Sequence, residues 1–143
     1  MLTCFKKYDV RGVIGRELDE RVAYRIGRAI VATLNADQIV VGFDARATSP
    51  RFATALGNGA MDQGADVLDI GLSGTEEMYW AVTDLGASAG VQGTASHNPI
   101  NYNGFKFVKS GSAPLDIDTE YQKVKSYAEE NVWPDVPSKG KWY

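Results

Sequence analysis

The sequence predicts an α/β domain of three layers, αβα, built on a mixed, mainly parallel sheet. Three observations carry this: short β-branched runs alternate with amphipathic helical segments, and each helical segment is long enough to cross from one parallel strand to the next. The third is bulk composition, since 143 residues at 44% hydrophobic and 23% charged match one ordinary globular domain with its own core.

The elements follow in order. Val22, Ile26, Ala29, Ile30 and Leu34 recur at i, i+4, i+7, i+8 and i+12, which is one face of a helix. Gln38–Phe43 is a compact β-branched run suited to a buried strand. Phe52, Ala55, Leu56 and Ala60 repeat the helical spacing, with Ser49 as cap and Pro50 at the first position. Asp66–Gly71 predicts the next strand, and Met78, Ala81, Val82 and Leu85 the inner face of the next helix. Ala87–Gly93 is a weaker strand, Gly104–Val108 one with visible alternation, and a last helix covers about Ile117 to Asn131, with Tyr121, Val124 and Ala128 inward. Residues 1–132 thus form the α/β unit, and 133–143, with two prolines and a glycine, look like the start of a connection to a further domain.

Charge and composition exclude several classes. A net charge of −3 with no basic run argues against nucleic acid as a partner, which requires a positive face. No stretch approaches the ~20 apolar residues of a membrane span, and the first residues lack the apolar core of a secretion signal, so a cytoplasmic location is expected. The single cysteine, Cys4, permits no internal disulfide and reads as a small core filler.

In such sheets ligands bind beyond the carboxyl ends of the strands. That directs attention to the loops after Phe43, Gly71 and Gly93. Thr94-Ala95-Ser96-His97-Asn98-Pro99 is rich in hydroxyl and amide groups able to meet an anion, although the same residues make ordinary polar turns. A serine hydrolase is disfavoured. His97 is the only histidine and adjoins Ser96, where its side chain would point away, and no nucleophile-elbow pattern occurs. Tyr8-Asp9-Val10-Arg11-Gly12 sets an arginine in a glycine-bordered turn, suited either to a phosphate or to a simple pair with Asp9. Gly42-Phe43-Asp44-Ala45-Arg46 ends a strand, and Arg46 could hold an anion or pair with Asp44. Lys106 stands between Phe105 and Phe107, either on the polar face of an edge strand or in apolar company that would ease proton transfer.

Tyr8–Gly12, Gly42–Arg46 and Thr94–Pro99, in chain order, resemble the Tyr-Asp-x-Arg-Gly, Gly-x-Asp-x-Arg and phosphoserine-loop motifs of the α-D-phosphohexomutase superfamily. Gly71-Leu72-Ser73-Gly74-Thr75-Glu76-Glu77 and Thr94 look most like its bacterial phosphomannomutase branch. Gly93 departs from the pattern, where a β-branched residue is commoner, and is expected to loosen the strand end. The resemblance implies interconversion of mannose 6-phosphate and mannose 1-phosphate through a hexose 1,6-bisphosphate, with Ser96 carrying the phosphoryl group and offering its phosphate to Mg²⁺. It implies charge-stabilising and acid–base roles for Arg11 and Lys106, loop or substrate contacts for His97, Asn98 and Tyr8, and support of the loop by Arg46 and Thr94. It also implies that the remaining Mg²⁺ ligands and the sugar-recognition residues come from further domains of the same enzyme. The chain is then the first domain, inactive alone. A phosphoglucomutase or dual-specificity enzyme, and a non-catalytic phosphosugar-binding module, remain as alternatives.

Overall fold

A computed structural model describes residues 1–143. Six strands, β1 (Val10–Val13), β2 (Gln38–Phe43), β3 (Asp66–Leu72), β4 (Ala89–Gly93), β5 (Tyr102–Lys109) and β6 (Ala113–Pro114), form one sheet in the order β1-β5-β4-β2-β3, with β6 also on β5. The pairs β2–β3 and β2–β4 are parallel, whereas β5 runs antiparallel to β4, β1 and β6. Only β5 is therefore reversed, and five of the six strands share one direction. The expected fold class is the observed one.

Helices α1 (Glu20–Leu34), α2 (Ser49–Asp62) and α4 (Glu120–Glu130) cover one face of the sheet, and α3 (Thr75–Leu85) alone covers the other. The inner stripe of α1 buries Ile26, Ala29 and Ile30 against Ile39, Val41, Phe52 and Leu56. Asp19 starts this helix by accepting from Val22 N–H (2.9 Å), and Asn35 ends it in the left-handed region. Gly27 and Gly59 let α1 and α2 touch backbone to backbone, because a Cβ on either would fall about 2 Å from a carbonyl oxygen of the other helix. Across the sheet, Met78, Ala81 and Val82 pack on Val40 and Val108.

Several sequence expectations are corrected. β1 and β6 are additional to the strands expected: β1 alternates in burial but not in apolar sequence, and β6 has only two residues. Leu85 is half exposed, at the end of α3 where the helix leaves the sheet. Ser49 does not cap α2: it is fully buried and its hydroxyl donates to Asp44 Oδ1 at 2.6 Å, while Thr48 takes the cap position. Gly93 does not loosen its strand, since it stays in register with both Phe43 and Phe105 and accepts from Asp44 N–H at 2.9 Å. Residues 133–143 are irregular but lie against the domain. Gly140 N–H donates to Met61 O, and Lys141 and Tyr143 pair with Val67 on the outer edge of β3. No helix is long and apolar enough to cross a membrane.

Candidate active site

The topology brings three segments together. β2 and β4 end side by side, Phe43 beside Gly93. β1 begins where β4 ends, because Val10 and Gly93 both oppose Phe105. The loop 94–101 therefore leaves the sheet between the loop after β2 and the length of β1.

Ser96 is exposed at the second position of a turn closed by Asn98 N–H to Ala95 O at 3.0 Å, and its φ of 54° lies in the left-handed region. For a residue other than glycine this conformation costs on the order of 1 kcal/mol, and it persists only where the surroundings enforce it. Thr94 is one enforcer: nearly buried, it accepts Ser96 N–H on its hydroxyl at 3.1 Å.

Arg46 is the other. Its Nη1 donates to Pro99 O (2.8 Å) and Tyr102 O (3.0 Å), and its Nη2 to Ser96 O (3.1 Å) and Asn98 O (2.6 Å). Its Nε faces Asp44 at 3.7 Å. A guanidinium has five N–H donors, and this arrangement occupies all four terminal ones with backbone carbonyls. Arg46 thus has no donor to spare for an anion, and its pairing with Asp44 is secondary. Asp44 in turn fixes the arginine's own backbone, accepting Arg46 N–H at 3.0 Å.

Behind the loop lies a buried polar knot that the sequence did not disclose. Asn103 is fully buried, and its Nδ2 donates to Thr48 Oγ1 (2.7 Å) and Ser49 Oγ (3.0 Å), while its Oδ1 accepts from Gly104 N–H at 2.8 Å. It ties the exit of the serine loop to the start of α2. An asparagine before glycine reads as a turn, so nothing in the sequence marks it as a core residue.

Arg11 stands on β1, one residue beyond a hairpin turn rather than within it. Its Nε and Nη2 donate to the two oxygens of Asp9 at 3.1 and 3.0 Å, and Nη1 donates to Asn98 Oδ1 at 2.9 Å. Two of its five N–H donors remain free for an anion. The pair with Asp9 and the capacity for phosphate therefore coexist. Asn98 is the junction, meeting Arg11 with its side chain and Arg46 with its carbonyl.

The structure links Ser96, Thr94, Asn98, Arg11 and Arg46 by hydrogen bonds. It does not link the other three. His97 is exposed, and Tyr8 projects from the hairpin tip with Lys7 Nζ 5.2 Å from its ring centre. Lys106 is half-buried opposite Gln92. Its neighbours Phe105 and Phe107 belong to the core on the opposite face of the sheet, since successive strand residues alternate. The lysine shares the α3 face with Val108 and is not enclosed by the phenylalanines beside it in sequence.

Residues 3–133 match the family described as Phosphoglucomutase/phosphomannomutase, alpha/beta/alpha domain I. A Klebsiella pneumoniae protein named Phosphomannomutase is 54% identical over 94% of this chain and 86% of its own length. Phosphomannomutases of Escherichia coli K12 and Vibrio cholerae are 51% and 48% identical over 94% and 99% of this chain. The chain spans only 30% and 32% of those two. A solved Phosphoglucomutase/phosphomannomutase family protein from Burkholderia thailandensis superposes with a TM-score of 0.89 at 32% identity, covering all of this chain and 33% of the other. The chain belongs to the phosphoglucomutase/phosphomannomutase family, as its alpha/beta/alpha domain I.

Proposed function

We propose that this chain is the phosphoserine domain of a phosphomannomutase, which interconverts mannose 6-phosphate and mannose 1-phosphate through a hexose 1,6-bisphosphate. The observation that carries the reading is Ser96 itself, exposed and held in a strained conformation by Thr94 and Arg46, with the two unused donors of Arg11 close by. Mannose is favoured over glucose because the relatives at about half identity bear the name Phosphomannomutase.

In the forward half-reaction the bond from Ser96 Oγ to phosphorus breaks as one sugar hydroxyl forms its own bond to that phosphorus. The hydroxyl gives up its proton and Ser96 Oγ takes one up, with Lys106 as the group to carry it. The second half-reaction reverses these changes at the other end of the sugar and restores the phosphoserine. Catalysis of such a step is mainly positioning and neutralisation of charge spread over the phosphoryl oxygens. Arg11 supplies that charge. Arg46 and Thr94 hold the loop, Asn98 joins loop to arginine, and His97 and Tyr8, both exposed, would contact the sugar phosphate.

No three His, Cys, Asp or Glu side chains gather into a metal site in this chain. Mg²⁺ favours oxygen ligands and bound phosphates. The phosphate on Ser96 would be one ligand, and the rest would come from the further domains that longer relatives possess.

Expression of the longest natural form of the protein, with intact-mass and phosphopeptide analysis, tests the reading. Stoichiometric phosphate on Ser96 and loss of mannose 1-phosphate/6-phosphate interconversion in Ser96→Ala are expected. Unchanged turnover in that variant overturns it. The 143-residue chain alone is expected to be inactive, and robust turnover by it would refute that part.

A further inference from the structure

Tyr121 belongs to none of the motifs. It lies on α4, and its side chain is almost wholly buried. Its ring packs edge-on to Phe5 (5.7 Å, 64°) and stacks on Phe107 (5.9 Å, 26°). These contacts alone would make it a core aromatic. The hydroxyl says more, because it reaches two carbonyls at once, Lys6 O at 2.6 Å and Asp9 O at 2.8 Å.

Those carbonyls stand at the two ends of one turn. Lys6 N–H donates to Asp9 O at 2.8 Å, the Phe5–Val10 bridge closes the hairpin beneath it, and Arg11 N–H donates to Cys4 O at 2.8 Å. Two carbonyl oxygens aimed at one point repel each other unless a donor sits between them. The Tyr121 hydroxyl is that donor. Burial, and the negative charge of Asp9, push its phenol well up from the ordinary value, so it stays a donor across the working pH range. Remove it, and the Lys6 carbonyl loses its donor while Asp9 O keeps Lys6 N–H, so the turn rotates until the Lys6 carbonyl finds water. That rotation would swing Asp9, whose carboxylate grips Arg11 through two bonds.

We propose that Tyr121 is a positioning residue of the phosphoryl-transfer site, its hydroxyl holding the Lys6–Asp9 turn and, through Asp9, the guanidinium of Arg11. The importance of Arg11 rests on the function proposed above, whereas the mechanical coupling does not. The test keeps the two separate.

Tyr121→Phe keeps the ring and deletes the donor. Val124→Ala, one turn along the same helix, fully buried and with no side-chain hydrogen-bonding group, is the structural control. In the isolated chain, hydrogen exchange of the Arg11 Nε–H is followed by NMR, with the signal assigned by its loss in Arg11→Lys. Tyr121→Phe is expected to speed that exchange on the order of 10-fold, as local opening becomes cheaper, while Val124→Ala leaves it unchanged. Equal rates in Tyr121→Phe and wild type, or equal acceleration by Val124→Ala, overturn the coupling. In the longest natural form, Tyr121→Phe is expected to lower kcat about 10-fold with KM little changed, the pattern of a lost transition-state contact. Val124→Ala should keep kcat. A wild-type protein without mutase activity would sink the functional reading and leave the exchange result to judge the coupling. A wild-type level of kcat in Tyr121→Phe would overturn the role in catalysis.

Discussion

The loop that carries Ser96 is held by a charge, whereas the hairpin that carries Arg11 is held by a neutral hydroxyl. Arg46 gathers three carbonyls of the serine loop and that of Tyr102 at the start of β5, and two of those contacts are open to solvent. Tyr121 gathers two carbonyls of the hairpin from beneath α4, where it is almost wholly buried. The difference follows from exposure. At a wet surface water competes for every carbonyl, and charge-assisted bonds, roughly twice as strong as neutral ones, are needed to win. Under a helix water is excluded, so a neutral donor suffices and a cation would bring a desolvation cost. Asn98 is where the two systems meet.

This contrast predicts which perturbation does most harm. Arg46→Met should have the largest effect, because it frees the loop and lets Ser96 relax from its left-handed conformation. A fall in kcat of about 100-fold is expected in the longest natural form, consistent with misplacement on the order of 1 Å. Stability should fall by only about 2 kcal/mol, since water replaces the guanidinium at the exposed carbonyls. Arg46→Lys should recover little, because an ammonium cannot reproduce the fork that spans four acceptors. Steady-state kinetics and urea unfolding give the two numbers; equal kcat in Arg46→Met and wild type would remove the clamp from the mechanism.

Asn103→Ala comes next and reverses the balance. It removes a partner from half-buried Thr48 and from buried Ser49 and Gly104, so a loss of about 2 kcal/mol in urea unfolding is expected, with a smaller effect on rate than Arg46→Met. A larger kinetic than thermodynamic effect would mean that the knot acts on Ser96 as directly as the clamp does.

Acid should separate the two regions. Glu17 accepts Val13 N–H at 3.0 Å and the Thr3 hydroxyl at 2.9 Å and stands 3.6 Å from Lys6. These contacts, the backbone bond foremost, hold its carboxyl below its ordinary value. The unfolded chain therefore binds that proton first as pH falls, so the stabilisation is complete above the ordinary carboxyl range and is lost as pH drops through the lower folded value. Protection of the Val13 amide, its exchange rate taken relative to the intrinsic rate at the same pH, should fall below about pH 4–5, near the unfolded carboxyl value, before protection at Asn98 does. Glu17→Gln should flatten that dependence, and a persistent slope would assign it to other carboxylates.

The smallest effect concerns Cys4. The thiol is fully buried, burial raises its pKa to about 11, and its backbone carbonyl holds Arg11 N–H. Labelling by a disulfide reagent at pH 8 should be slow and limited by opening of the hairpin. Tyr121→Phe should speed it several-fold, whereas Arg46→Met should not. Acceleration by both variants would show that the two regions open together.

Much of the fold was legible because burial imposes a period. Gln38–Phe43 was read to its exact ends, and the buried stripe Tyr121, Val124, Ala128 of α4 lies as its spacing predicts. β1 escapes that reading, because Val-Arg-Gly-Val shows no apolar alternation in sequence although burial alternates along the strand. Of the site, Ser96, Arg11 and Arg46 were picked out because their segments match motifs. The partners of Arg46 were not legible, because they are backbone carbonyls, and every residue has one. Ser49 was misread because a serine before proline suits a cap, and only the approach of Asp44 and Asn103 turns it inward.

The sequence by itself determined the elements, the class of fold and the residues to suspect, since hydrophobic spacing and side-chain chemistry are local properties. The tertiary structure decided the work each suspect does. Arg46 is a clamp because β2 and β4 end side by side, and Tyr121 meets the hairpin because α4 packs across it, 112 residues along the chain from Asp9. Such assignments depend on which groups come within about 3 Å, and distance between remote residues exists only once the chain has folded.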